Sequence, residues 1–302
     1  MEQHKTSMTA LVSAFARAFH AKNDYPLIFN DALAYEIIGE EQYQQIAQNM
    51  LTGLPFFSAG ESVTLNSDEA ALKWIVQTQL APTPLARARY CEDMLQNAIQ
   101  LGCTQYVILG AGLDTFAFRH SELLEKISVY ELDHPATHAF KQERIQQLGW
   151  NMPDNYQLVP INFVSTSLPE VLSIANYQQN QRSFFSWLGV LYYLDQQTIA
   201  NTLTDIATIS AQGSSIMFDY PNEQLFTCST KRVQSMLGMA HATGEPMKSC
   251  FAYHDLEAML EMSGFLLYEH LSTSDIEKRF FQGRDDHLHA FETVEYALAV
   301  KY

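Results

Sequence analysis

Apolar positions in the first 80 residues recur with a helical period, whereas those beyond residue 105 gather into short blocks. The spacing in 8–19 predicts an amphipathic helix, and a second helical run covers about 31–50. That run stops before a turn region marked by Gly53, Pro55 and Gly60. Asn66-Ser67-Asp68 supplies N-cap candidates for a third helix running toward Leu80. Pro84 suits the first turn of a fourth, over roughly 85–101.

From Gln105 onward the blocks read as buried strands at 106–109, 127–132, 157–161, 183–187, 215–219, 264–269 and 294–300. Helical stretches at about 135–149, 168–178, 196–211 and 254–263 separate most of them. Strands alternating with helices imply parallel pairing with right-handed crossovers, hence a layered α/β sheet with helices on both faces. Residues 221–252, with Pro221, Gly238, Gly244 and Pro246, interrupt the alternation as a partly helical insert. The expected organisation is an N-terminal helical cap over 1–84 and an α/β domain over 85–302, forming one compact unit.

Composition narrows the function classes. A hydrophobic fraction of 47% is that of a folded chain, and no apolar run reaches membrane-spanning length. Met1 to Thr9 is polar and lacks a signal-peptide pattern, so a cytoplasmic location and no membrane partner are expected. The net charge of −16 repels phosphate backbones, which argues against nucleic acid. The basic pairs Lys231-Arg232 and Lys278-Arg279 read as solvated surface charges. Cys91, Cys103, Cys228 and Cys250 lack metal-ligand spacing, and His287-x-His289 has no partner ligand, so no metal is expected.

The chemistry concentrates after the first two strands. Gly110-Ala111-Gly112 follows the first, where an open parallel sheet binds ligands and where glycines let the backbone approach one closely. The third glycine of a dinucleotide fingerprint is replaced by Thr115, which counts against NAD. About 20 residues on, Glu131 and Asp133 end the second strand on one face, and either could accept hydrogen bonds from ribose hydroxyls. The pair of features points to an adenosine-type ligand.

The run Arg87-Ala88-Arg89-Tyr90, the segment Tyr106 to Thr115 ending in AGLDT, and Glu131-Leu132-Asp133-His134-Pro135 together resemble the leucine carboxyl methyltransferase family. The resemblance is to its bacterial branch of S-adenosylmethionine-dependent O-methyltransferases, some linked to polyketide pathways. It covers most of the chain, including Thr9-Ala10, Arg17-Ala18, Asn30 to Ala34 and the Trp187 to Leu194 motif. It implies a Rossmann-like methyltransferase fold and S-adenosylmethionine as cofactor. By position, Arg87 matches the arginine that grips the methionyl carboxylate, with Arg89 as fallback. Gly110, Ala111 and Gly112 match the turn beneath the cofactor, Asp133 matches its acid with Glu131 beside it, and Asn162-Phe163 falls beside the adenine. Two departures stand out: Asn162-Phe163 replaces Asp-Leu, and Leu188 replaces a glutamate, so leucine carboxylate specificity is not transferred.

Methyl transfer from a sulfonium needs position and electrostatics more than a protein nucleophile. A carboxylate acceptor needs no base, whereas a hydroxyl would benefit from one, with Asp219 and His241 as candidates. The N-terminal helices and the insert are the expected substrate walls, with Tyr192, Tyr193, Tyr220 and Phe226 lining an apolar pocket for a small-molecule acceptor. On that reading, deleting residues 1–20 weakens acceptor turnover more than cofactor binding. Two alternatives carry different expectations: a non-catalytic S-adenosylmethionine-binding regulator would turn over no acceptor, and an NAD(P)-dependent oxidoreductase would bind the dinucleotide.

Overall fold

The computed structural model describes residues 7–58, 65–163 and 165–302. Gly60 of the expected turn region and the first six residues of the polar N-terminus lie outside them. Seven strands form one sheet: β1 (Gln105–Leu109), β2 (Ser128–Asp133), β3 (Tyr156–Pro160), β4 (Ser183–Trp187), β5 (Ser215–Pro221), β6 (Phe265–Leu271) and β7 (Val294–Lys301). Their order is β3-β2-β1-β4-β5-β7-β6. β1 pairs in parallel with both β2 and β4, so strand order reverses between β1 and β4. β7 runs antiparallel to β5 and β6. This is the Rossmann-like α/β sheet expected, and its switch point opens a crevice above the carboxyl ends of β1 and β4.

Every residue of β1 and β4 is buried, because helices cover both faces. Alternate residues feed two cores: Ile108 and Phe184 join one, Val107, Leu109, Phe185 and Trp187 the other. The first core continues without a break into Phe15, Phe19, Ile37 and Leu85 of the N-terminal helices. The first helix, Met8–Asn23, is N-capped by Ser7, whose hydroxyl accepts from the Ala10 amide at 3.2 Å. It buries Ala14, Phe15, Ala16 and Ala18 completely or nearly so, and Phe15 packs on Tyr43 at 4.7 Å between ring centroids.

Three local expectations change. The helix expected from residue 85 begins at Pro82, since a proline at the first position lacks only an amide that has no helical partner. The third helix, Asp68–Ile75, widens into a π turn over Val76–Leu80 before it ends. The insert contains one helix, Lys231–Ala242, capped by Thr230. Arg232 at its start is not a solvated charge: it is buried, donates to the Thr78, His289 and Ala290 carbonyls, and lies 4.2 Å over the Phe291 ring. Arg279 is also engaged, over Tyr90 and against Glu269.

Candidate active site

The turn after β1 is shaped by two positive-φ glycines. Gly110 (φ 73°) and Gly112 (φ 55°) bend the chain back so that the Gly110 and Ala111 amides donate to the Leu132 carbonyl at 2.8 and 3.1 Å. A Cβ on Gly110 would run into Val190, so the turn and the loop after β4 leave no room for a side chain. Asp133, at the end of β2, clamps the turn: one carboxylate oxygen accepts from the Gly112 amide at 2.6 Å and the other from His134 at 2.6 Å. Each oxygen keeps a lone pair for a further donor. Burial pushes this carboxyl above its ordinary range, against the pull of the two amides.

These groups line one cavity of about 360 Å³ over the switch point. Arg87, Gly110, Ala111, Gly112, Asp133, Asn162 and Phe163 all line it. Its roof was not anticipated. Ser7, Thr9, Ser13 and Arg17 of the N-terminal helix reach over it and meet Gly244, Glu245 and Pro246 of the insert. The Ser7 and Thr9 hydroxyls both donate to Glu245. Arg17 donates to the Leu113 carbonyl at 2.8 Å and to Asp31 at 2.8 Å, and Asp31 accepts from Thr115 at 2.6 Å. The position where a dinucleotide fold needs its third glycine is therefore a buried polar tie between cap and turn.

Glu131 does not reach the cavity. It lies deeper in β2 and forms a buried ion pair with Lys141, whose ammonium also donates to the Asp114 carbonyl at 2.5 Å. Burial raises its carboxyl to about 7 although Lys141 opposes the shift. Its place is structural, supporting the glycine loop from below. Arg89 points elsewhere, to Asp93 at 2.9 Å.

A second, smaller chamber of about 130 Å³ adjoins the first, and Thr9, Ser13, Pro84, Arg87, Gly189 and Tyr193 border both. Its wall is mainly apolar, with Met8, Met236, Met239 and Met247 contributed by the N-terminal helix and the insert. Tyr192 and Tyr193 line it. Tyr220 and Phe226 do not: Tyr220 leaves the opposite face of β5 and bonds Glu295 at 2.8 Å, and Phe226 is half exposed in a turn. His241 is exposed on the insert helix and borders neither space. Asp219 is wholly buried beneath Arg87, accepting from its guanidinium at 2.8 Å, from Tyr192 at 2.9 Å and from the Gly189 amide at 2.6 Å. Wholly buried and lining neither space, it positions Arg87 and does not reach an acceptor proton.

The leucine carboxyl methyltransferase family profile matches residues 10–207, from the cap through the helix after β4. The chain belongs to this family. It is 46% identical over 304 residues, 100% of both chains, to YktD of Bacillus subtilis, named as an S-adenosyl-L-methionine-dependent methyltransferase. A Mycobacterium avium protein with the same kind of name is 29% identical over 211 residues, 68% of this chain and 64% of that one. Among solved structures, a Thermobifida fusca protein described as a methyltransferase shares the fold (TM-score 0.56, 13% identity, 98% and 95% of the two chains). A DUF574 protein from Streptomyces avermitilis does so too (TM-score 0.55, 13% identity, 83% and 97%). The protein is thus an S-adenosylmethionine-dependent methyltransferase by family. Among the described residues no helix is long and apolar enough to cross a membrane, and no cluster of ligating side chains could hold a metal ion.

Proposed function

We propose that this enzyme methylates an oxygen of a small, largely apolar molecule held in the methionine-lined chamber. One observation carries the reading: the cavity of the glycine turn and an apolar chamber lie side by side and share the wall residues around Arg87 and Gly189. In this reading Asp133 holds the ribose hydroxyls, Arg87 the methionyl carboxylate, and Asn162 with Phe163 the adenine. S-adenosylmethionine supplies a methyl group on a sulfonium, transferred in line to the acceptor oxygen as the C–S electron pair returns to sulfur.

The chain's own part is to seat both partners. Thr9, Ser13 and Tyr193 stand at the passage between the two spaces. No histidine, aspartate or glutamate lines the chamber among the described residues, so its wall contributes position and not a general base. Among the described residues the one charged side chain on that wall is Arg87, already paired with Asp219. A carboxylate acceptor would therefore be buried without a spare cation. A phenolic or enolic hydroxyl enters such a wall uncharged, and its proton, more acidic than that of an aliphatic alcohol, passes to solvent as the oxygen–methyl bond forms. The cap and the α/β domain act as one unit here, and the four free cysteines fit a reducing cytoplasm.

The test is a thermal-shift series with S-adenosylmethionine, S-adenosylhomocysteine and NAD, followed by an acceptor screen that reads S-adenosylhomocysteine release. Stabilisation by the two adenosyl-sulfur ligands and turnover of hydroxyl acceptors supports the reading. Turnover confined to carboxylates would sink the preference for a hydroxyl, and turnover confined to amines the O-methylation reading as a whole.

A further inference from the structure

Methyl transfer has to occur where the two spaces meet. Among the described residues the wall common to both is Thr9, Ser13, Pro84, Arg87, Gly189 and Tyr193, and the acceptor oxygen lies against it. Thr83 and Thr243 line the apolar chamber but do not border the cofactor cavity. Of the hydroxyls on the shared wall, Ser13 accepts from the Arg17 guanidinium at 3.2 Å, so the next group along is a cation that takes no proton. Thr9 differs. Its hydroxyl donates to the Glu245 carboxylate, and the same carboxylate oxygen takes the Ser7 hydroxyl at 3.3 Å and the Thr9 amide at 3.4 Å.

Glu245 itself lines the cofactor cavity and not the chamber. Its charge nevertheless reaches the shared wall: burial first, and the Glu245 carboxylate after it, raise the Tyr193 phenol, while Thr9 and Arg87 oppose the shift. Glu245 is only half buried, between the exposed Gly244 and Pro246, so a proton placed on it can return to water. A hydroxyl oxygen that gains a methyl group turns strongly acidic, and a carboxylate is then base enough to receive its proton.

We propose that Thr9 and Glu245 form the proton exit of the reaction, Thr9 touching the acceptor oxygen and Glu245 receiving the proton through it. As the oxygen–methyl bond forms and the carbon–sulfur bond breaks, the acceptor proton passes to Thr9 Oγ1 and the Thr9 proton to Glu245. The carbon–sulfur pair stays on sulfur and the oxygen–hydrogen pair on the acceptor oxygen. One sulfonium charge and one carboxylate charge are thus lost together. The inference rests on the O-methyltransferase reading above and deepens it, because only a hydroxyl acceptor has a proton for this exit to carry.

The test has two readouts on the full chain. The first saturates it with S-adenosylhomocysteine and follows the ionisation of bound 4-nitrophenol by absorbance. The Glu245 charge opposes the phenolate, so the probe should ionise about one pH unit higher in the wild type than in Glu245→Gln. The second follows methylation of 4-ethylphenol. Glu245→Gln and Thr9→Val should each lower kcat about 100-fold, with S-adenosylhomocysteine affinity within about threefold, and Thr9→Ser, which restores the hydroxyl, should recover most of the loss. Equal ionisation in wild type and Glu245→Gln overturns the proposal. So does an unchanged kcat in either variant, or a loss in Thr9→Ser as large as in Thr9→Val. A wild type that neither binds nor methylates these phenols removes the hydroxyl-acceptor reading and the proton exit with it. Failure to bind S-adenosylhomocysteine would instead remove the methyltransferase reading on which both stand.

Discussion

Arg87 and Asp219, 132 residues apart in sequence, meet at 2.8 Å beneath the junction of the two cavities. The pair is bolted to the loop after β4, because Asp219 also takes the Gly189 amide at 2.6 Å. Gly189 has φ 71°, and a Cβ there would fall 2.5 Å from Arg87 Nη2. Gly189→Ala should therefore push the guanidinium aside and weaken S-adenosylhomocysteine about tenfold, with a stability loss of about 1 kcal/mol from the left-handed backbone. Calorimetric titration checks it; unchanged affinity would separate Arg87 from the cofactor.

Asp219→Asn tests the other member. Removing one partner leaves Arg87 buried without its counter-ion, which costs about 3 kcal/mol. Denaturant midpoints should show that loss in full. A loss within about 0.5 kcal/mol, the range of surface substitutions, would mean that the pair is not held as described.

Asp133 does two jobs in one place, clamping the Gly112 amide and facing the cofactor cavity. A ligand at about 100 times its dissociation constant stabilises a fold by about 2.7 kcal/mol. Asp133→Ala should abolish most of that shift for S-adenosylhomocysteine while the variant remains folded. A full shift in the variant would assign ribose recognition elsewhere.

What the sequence made legible was whatever depends on local pattern. The seven strands stood out because fully buried strands read as short apolar runs, and the glycine turn because positive φ selects glycine. Faces of β5 were illegible for the same reason: all seven of its residues are buried, so polarity does not tell Asp219 from Tyr220, which leave opposite sides. Glu131 was read as cofactor-facing because period two puts it with Asp133, but burial depth is set by Lys141 on the following helix, a partner that strand periodicity does not reveal. Arg232 looked solvated because basic pairs usually are; its burial follows from three carbonyls brought together only by the fold.

Asp31 links the cap to the glycine turn, and its titration gives a pH signature. Burial alone would raise its carboxyl, but Arg17 and Arg119 beside it and the Thr115 hydroxyl more than offset this, leaving it below the ordinary value of 3.8. A lowered folded pKa means that the stabilisation is complete above the ordinary carboxylate range and disappears as pH falls through the folded value. Asp31→Asn should thus be about 3 kcal/mol less stable than wild type at pH 7. The gap should narrow as the pH falls below 3.8. Urea midpoints across that range check it, and a gap independent of pH would contradict the ionised tie.

The first helix cannot be removed as a simple substrate wall. Deleting residues 1–20 takes away Ala14, Phe15, Ala16 and Ala18, all within the shared core, along with Ser13 and Arg17 of the cofactor roof. The deletion should lower cofactor binding and acceptor turnover together by unfolding the protein, contrary to the expectation from sequence. Phe15→Ala alone should cost about 3–5 kcal/mol. Of the helix residues on the chamber wall, Met8 and Val12 line the chamber and not the cofactor cavity, whereas Thr9 and Ser13 border both. Val12→Ala should therefore raise the acceptor KM several-fold while leaving S-adenosylhomocysteine affinity within twofold. Parallel loss of both in Val12→Ala would show that the two cavities are not separable along this helix.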